Sequence, residues 1–242
     1  MWSIYLNKIE GYEKFHNLHK GEAGLVVANG PSLADVPIEF LKSYVTLGCN
    51  RITAMCPEFV PTYYSCVGLN QLNDADKRET ILPMLEHPDC KAAFINRLVA
   101  HLFPYDNIYS VLGGAFYGLE NTKVFSYEPL HITGIGGSMT FILLQIAFYM
   151  GLDPVLVVGL DHNYPKGSKK HFYDDSEFPG FEVAPGPVYG NDGDLWQAVA
   201  SSMFAIAQEV YLKHGRTIIN LTRDSHCEVF RKEALSAWLN KD

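Results

Sequence analysis

The chain has 242 residues, 48% hydrophobic and 19% charged, enough for one large α/β domain with a substantial core. A formal net charge of −8 excludes recognition of nucleic acid through a broad basic face. Five scattered cysteines without a Cys-x-x-Cys pair point to neither a zinc site nor a disulfide framework, and fit a reducing compartment.

In chain order, residues 2–20 read as an amphipathic N-terminal helix ahead of the main domain, 21–242. "AGLVVANG" reads as a buried parallel strand, a short apolar run stopped by Asn-Gly-Pro. "SLADVPIEFLKS" is helical with Ser32 as N-cap, and "YVTLGCN" and "TYYSCVG" are further strands. "DADKRETILPMLEH" is helical and "CKAAFIN" a strand, whereas Leu98 to Leu130 shows no period and reads as irregular connections. "GIGGSMTFILLQIAFYMG" is a Gly-rich turn and a long buried helix capped by Gly151, followed by the strand "PVLVVG". The Pro-, Gly-, Tyr- and charge-rich stretch at about 163–194 is long enough for a lid over a binding site. "LWQAVASSMFAIAQEVYLKHG" is a helix and "RTIINLT" a strand. The most apolar run, "MTFILLQIAFYMG", is about 13 residues, too short to span a bilayer. Any membrane contact is then peripheral. With no signal-peptide core at the N-terminus, a soluble, cytoplasmic protein is expected; the oligomeric state is left open.

Strands alternating with helices predict a variant Rossmann-like fold: doubly wound, mainly parallel, with functional residues just after the strands. Those positions hold Asn29-Gly30-Pro31-Ser32, Asn50-Arg51, Asp161-His162 and Thr222-Arg223. Every one is small, polar or charged. The first corner can offer backbone N–H groups, an amide and a hydroxyl to a phosphate or ribose, or serve as a plain turn. The G-x-G-x-x-G and P-loop spacings are missing, so neither NAD nor Walker-type ATP binding is indicated. "GIGGS" (Gly134 to Ser138) is a second anion cradle or a close strand–helix contact. Asp161 can take a hydroxyl, a metal or a proton, or cap the following turn, and His162 can act as a base near neutral pH. His171, in the charged loop "KKHFYDD", is a solvated residue or a catalytic group carried by a lid. Arg223 can neutralise a diphosphate or carboxylate, while His226 reads as surface charge. No metal ligands are expected from spacing.

These blocks, "VVANGPSL", "LGCN", "PTYYSCVG", "GGSMTFILLQIAFYMGLDPVLVVGLDHNY", "HFYDD" and "EVFRKEAL", resemble the MptE-like superfamily. It is named after a hydroxymethyl-dihydropterin diphosphokinase and includes flagellin-modifying nonulosonic-acid transferases. In fold it resembles bacterial CMP-sialic acid sialyltransferases. The resemblance implies that Asn29, Gly30, Pro31 and Ser32 meet the nucleotide phosphates and ribose, and Asn50 the sugar or ribose. Gly137, Ser138 and the Gly159–Asp161 turn would form the cytidine side. Sialyltransferases use a lid His as base and lid tyrosines on the leaving phosphate. Here the matching stretch "VYGNDGDLW" has Tyr189 but no His, which leaves His171, His162 or Asp161 as the base. The expected function is a glycosyltransferase using a nucleotide-activated sugar, such as a CMP-linked acidic sugar, on a surface-glycan acceptor. The alternatives are a diphosphokinase using ATP and Mg²⁺ on a hydroxymethylpterin, and a non-catalytic nucleotide-binding module.

Overall fold

A strand buried on both faces needs an uninterrupted apolar run rather than an alternating one, and Gly24–Val27 supplies it as β1, all four residues buried. The computed structural model describes residues 11–72, 74–113, 125–134, 136–163, 170–174 and 193–239. Among these, strands β2 (Val45–Cys49), β3 (Tyr63–Cys66), β4 (Ala92–Asn96), β5 (Ile108–Gly113) and β6 (Ile132–Thr133) extend outward from β1 on one side. Strands β7 (Val155–Val158), β8 (Ile218–Asn220) and β9 (Arg231–Lys232) extend from β1 on the other. The order is β6-β5-β4-β3-β2-β1-β7-β8-β9, and each described pairing is parallel. This is the expected Rossmann-like α/β sheet.

Alternate residues feed two apolar cores. Val26, Ala28, Val155 and Val157 face one, under helices α5 (Met139–Met150) and α6 (Gly193–Lys213). Leu25, Val27, Leu156 and Val158 face the other, with residues of the short helices α1 (Ile38–Lys42), α2 (Leu69–Leu72) and α4 (Leu82–Glu86), whereas α3 (Ala75–Glu79) buries no side chain. Each fully buried Val or Leu contributes about 1.5–3 kcal/mol relative to exposure.

Helix α5 is buried along nearly its whole length. Its one amide, Gln145, is fully buried and spends every polar atom: Oε1 accepts from Ser126 N (2.9 Å) and Gly134 N (3.0 Å). Nε2 donates to Gly134 O (3.0 Å) and Phe141 O (3.1 Å). The Gly-rich turn before α5 is thereby pinned to the helix it precedes.

Three local expectations are corrected. The described part of the expected N-terminal helix, 11–20, is a single 3-10 turn (Glu13–Phe15) followed by turns. Its backbone donors serve α5 instead: Asn17 N donates to Tyr149 O, His19 N to Met150 O and Gly21 N to Gly151 O, all at 2.9 Å. Those carbonyls have no partner inside their own helix. The single helix expected over 74–87 is two, α3 and α4, because Pro83 sits at the start of the second and cannot continue the first. Within Leu98–Leu130, read as irregular, Ile108–Gly113 is a strand paired to β4 (Ala93 beside Ile108).

Among the described residues no helix is long and apolar enough to cross a membrane. Most of the expected lid, including Tyr189, lies outside the described residues.

Candidate functional site

The chain leaves β1 in one direction through β2 to β6, then returns to the other side of β1 as β7. The loops after β1 and β7 therefore diverge at the strand C-termini, where parallel α/β sheets open a crevice. Asn29–Ser32 follows β1 and Gly159–Asp161 follows β7.

Two glycines let these loops touch. Ala28 N donates to Val158 O (2.9 Å) and Gly30 N to Gly159 O (2.8 Å), carrying the pairing past the strands. A Cβ on Gly30 would lie 2.0 Å from Asp161 Oδ2 and 2.5 Å from Gly159 O. Gly159 adopts φ +69°, and a Cβ there would lie 2.4 Å from Ala28 O. Only glycine fits either place.

Asp161 uses its carboxylate across this contact: Ser32 N donates at 3.2 and 3.3 Å, and Ser32 Oγ at 2.8 Å. Asp161 thus serves the distant turn at Ser32 rather than the turn that follows it. Ser32 is accordingly not the N-cap of its own turn; Gly30 precedes the 3-10 turn Pro31–Asp35. A buried network holds the β7 loop from behind. Leu160 N donates to Thr222 Oγ1 (2.9 Å), Ser225 Oγ donates to Leu160 O (2.5 Å), and Asn220 Nδ2 donates to Ser225 Oγ (2.9 Å).

Asn29 and Asn50 stand at the ends of β1 and β2. Asn29 Nδ2 donates to Cys49 O (3.0 Å). Asn50 is left-handed, φ +48°, a conformation Asn tolerates better than most residues, and its carbonyl accepts from Tyr64 Oη (2.9 Å). The amide oxygens of both, and Thr53 Oγ1, are buried without a hydrogen-bond partner among the described residues. Such atoms carry a desolvation cost of about 1–3 kcal/mol each, which a ligand's donors can offset. Asn29 and Asn50 stand at the strand C-termini, the end at which the crevice opens.

Segment 170–174 lies across these strand ends. Phe172 N donates to Asn29 O (3.0 Å). His171 stacks on Tyr173 with centroids 4.8 Å apart and planes 5° from parallel. The Tyr173 ring is 5.9 Å from the Arg51 guanidinium carbon. His171, one of the expected catalytic histidines, thus lies on the segment that Phe172 ties to Asn29. The other, His162, is turned inward: it is 2% exposed, has φ +54°, and its Nε2 is hydrogen-bonded with Ser201 Oγ of α6 (2.7 Å). Burial, and secondarily the nearby His226, push its pKa below the ordinary histidine value, which keeps it neutral.

Ser138 caps α5, accepting from Thr140 N (3.2 Å), and Gly137 is left-handed at φ +68°. A parallel crossover places this helix start on the crevice edge of the sheet. Close packing also operates there, since a Cβ on Gly136 would lie 2.5 Å from Met203 Cγ of α6. Arg223 is exposed and paired with its neighbour Asp224 (3.2 Å). His226, exposed, donates its N–H to Asp161 O (2.8 Å). No group of three His, Cys, Asp or Glu among the described residues is arranged to hold a metal ion.

Sequence reasoning missed Gln145, Asn220 and Ser225, and reached Arg51 by position alone. A signal existed for the amides: each interrupts an apolar run, and a polar group in such a run must find a partner.

No protein-family model matches the chain, and no characterised protein matches it in sequence. Among solved structures it is similar to the monofunctional alpha-2,3-sialyltransferase Cst-I from Campylobacter jejuni. The match has a TM-score of 0.50 and 14% identity, over 90% of this chain and 79% of that one. A likeness at that identity is one of fold.

Proposed function

We propose that the crevice binds a nucleotide-activated sugar and that the protein is a glycosyltransferase. The observation that carries this reading is the contact of Phe172 N with Asn29 O. It brings the His171–Tyr173 pair over the strand ends where Asn29 and Asn50 keep unpartnered amide oxygens. Fold likeness to a sialyltransferase raises the reading without establishing the reaction.

In this reading Asn29–Ser32, Asn50 and Ser138 hold the nucleotide. The Gly30–Gly159 contact fixes the spacing of the two loops that flank it. Asp161 positions Ser32. His171 takes the proton of the acceptor hydroxyl as its oxygen bonds to the anomeric carbon, and the bond from that carbon to the phosphate oxygen breaks. The phosphate leaves with the electron pair, its charge met, by the resemblance, by Tyr189. The acceptor is a glycan hydroxyl, in keeping with the neighbour's class of reaction.

A melting-temperature series with CMP, UDP, GDP and ATP, each with and without Mg²⁺, tests the reading. The preferred ligand stabilises by mass action, about 2.7 kcal/mol at a hundredfold excess over Kd. A cytidine or uridine nucleotide is expected to raise the midpoint most. Preference for ATP with Mg²⁺ would favour diphosphate transfer instead. Nucleotide binding with no turnover of any nucleotide sugar would leave a binding module.

A further inference from the structure

The loop after β7 is gripped from two sides. Toward β1, Gly159 O accepts from Gly30 N (2.8 Å), and the Asp161 carboxylate accepts from Ser32 Oγ (2.8 Å). Toward β8, the residue between them is clamped at both backbone polar groups. Leu160 N donates to Thr222 Oγ1 (2.9 Å), and Leu160 O accepts from Ser225 Oγ (2.5 Å). The donor directions in this clamp are forced. Thr222 N can only donate, so the amide atom that meets it at 3.0 Å is Asn220 Oδ1, which turns Nδ2 to Ser225 Oγ (2.9 Å). Cys227 N donates to the same hydroxyl (3.1 Å). With two donors directed at it, the hydroxyl gives its single proton to Leu160 O, a group that only accepts. Ser225 is itself anchored, since Lys232 Nζ of β9 donates to its carbonyl (2.7 Å). Asn220, Thr222 and Ser225 are all buried, so a bond lost here leaves its partner unsatisfied.

We propose that Ser225 and Thr222 are positioning residues of the crevice, acting through Leu160 and Asp161 on the Gly30–Ser32 corner. Together they set where the Leu160 backbone lies. Asp161 follows it in the chain, and the Asp161 carboxylate carries that placement to Ser32. Asn220 aims the Ser225 proton. The consequence for nucleotide affinity rests on the reading of the crevice as a nucleotide-sugar site; the consequence for the two loops does not.

Residue-resolved amide exchange in wild type, Ser225→Ala, Thr222→Val and Thr222→Ser tests the proposal. The probes are the Gly30 and Ser32 N–H groups, held by Gly159 O and the Asp161 carboxylate. The reference is the Arg97 N–H, held by Val111 O (2.8 Å) on the other side of β1 from β7. Ser225→Ala and Thr222→Val are each expected to speed exchange at Gly30 and Ser32 about fivefold, the worth of one hydrogen bond, with Arg97 unchanged. Thr222→Ser, which restores the hydroxyl, should stay within about twofold of wild type. Unchanged exchange at Gly30 and Ser32 overturns the proposal, because the clamp is then local to β8. Equal acceleration at all three amides also overturns it, as a general loss of stability. Should Ser225→Ala fail to fold, the Thr222 pair decides by the same criteria. Calorimetric titration of CMP then reads the consequence for binding: Ser225→Ala should weaken it about fivefold, and an unchanged Kd beside faster exchange overturns that link. Should wild type not bind CMP, the nucleotide reading fails, and exchange alone judges the positioning.

Discussion

Ser32 donates both its backbone N–H and its hydroxyl to the carboxylate of Asp161, 129 residues away in sequence. The bond spans the two loops that leave the sheet on either side of its reversal, so it sets the width of the crevice mouth. In the proposed reaction Asp161 is by this contact a positioning residue, and proton transfer falls to His171.

If so, Ser32→Ala and Asp161→Asn act on the same structure. Ser32→Ala removes one hydrogen bond and costs about 1 kcal/mol; Asp161→Asn weakens charge-assisted bonds and costs about 1.5–3 kcal/mol. Urea denaturation of both and of the double variant should give a coupling energy of about 0.5 kcal/mol or more. Strict additivity would show the contact to be unimportant in solution.

The same mouth depends on glycine. Gly30→Ala forces a Cβ against Asp161 Oδ2 and the Gly159 carbonyl, with an expected cost of about 1–3 kcal/mol from overpacking. Gly159→Ala adds a left-handed backbone penalty to its clash with Ala28 O, so it should be the worse of the two. Thermal melts rank them, and both should lose nucleotide affinity. Arg223→Ala, whose side chain is in solvent, should change neither.

Buried His162 gives the fold a pH dependence. Its pKa is held below the ordinary value by burial and by His226, so the unfolded chain binds a proton more readily than the folded one. Stability from this group is present above about pH 6.5, the unfolded value, and falls as pH drops below it. Urea midpoints between pH 7.5 and 5 should decline in wild type and decline less in His162→Gln. Parallel curves for the two proteins would contradict this assignment.

The crevice corners were readable because polar or small residues directly follow apolar runs, as at Val27 to Asn29 and Val158 to Asp161. The sheet was readable for the same reason in β1, β2, β3, β4, β7 and β8. Strand β9 was not: Arg231 and Lys232 are exposed at the sheet edge and carry no burial pattern. The segment before β1 misled because its amphipathic spacing arises from Tyr12 and Phe15 packing into the core, while its N–H groups serve α5. The different settings of His171 and His162 depend on two tertiary contacts, Phe172 with Asn29 and His162 with Ser201. No local pattern encodes either one.

The most direct test of the account is turnover of the nucleotide sugar that the binding series selects, with a glycan acceptor, in wild type and His171→Ala. Loss of the general base should lower kcat by about 10²–10⁴-fold, while the Kd for the nucleotide stays within about twofold. Nucleotide release by His171→Ala at the wild-type rate would contradict the placement of the reaction beneath segment 170–174.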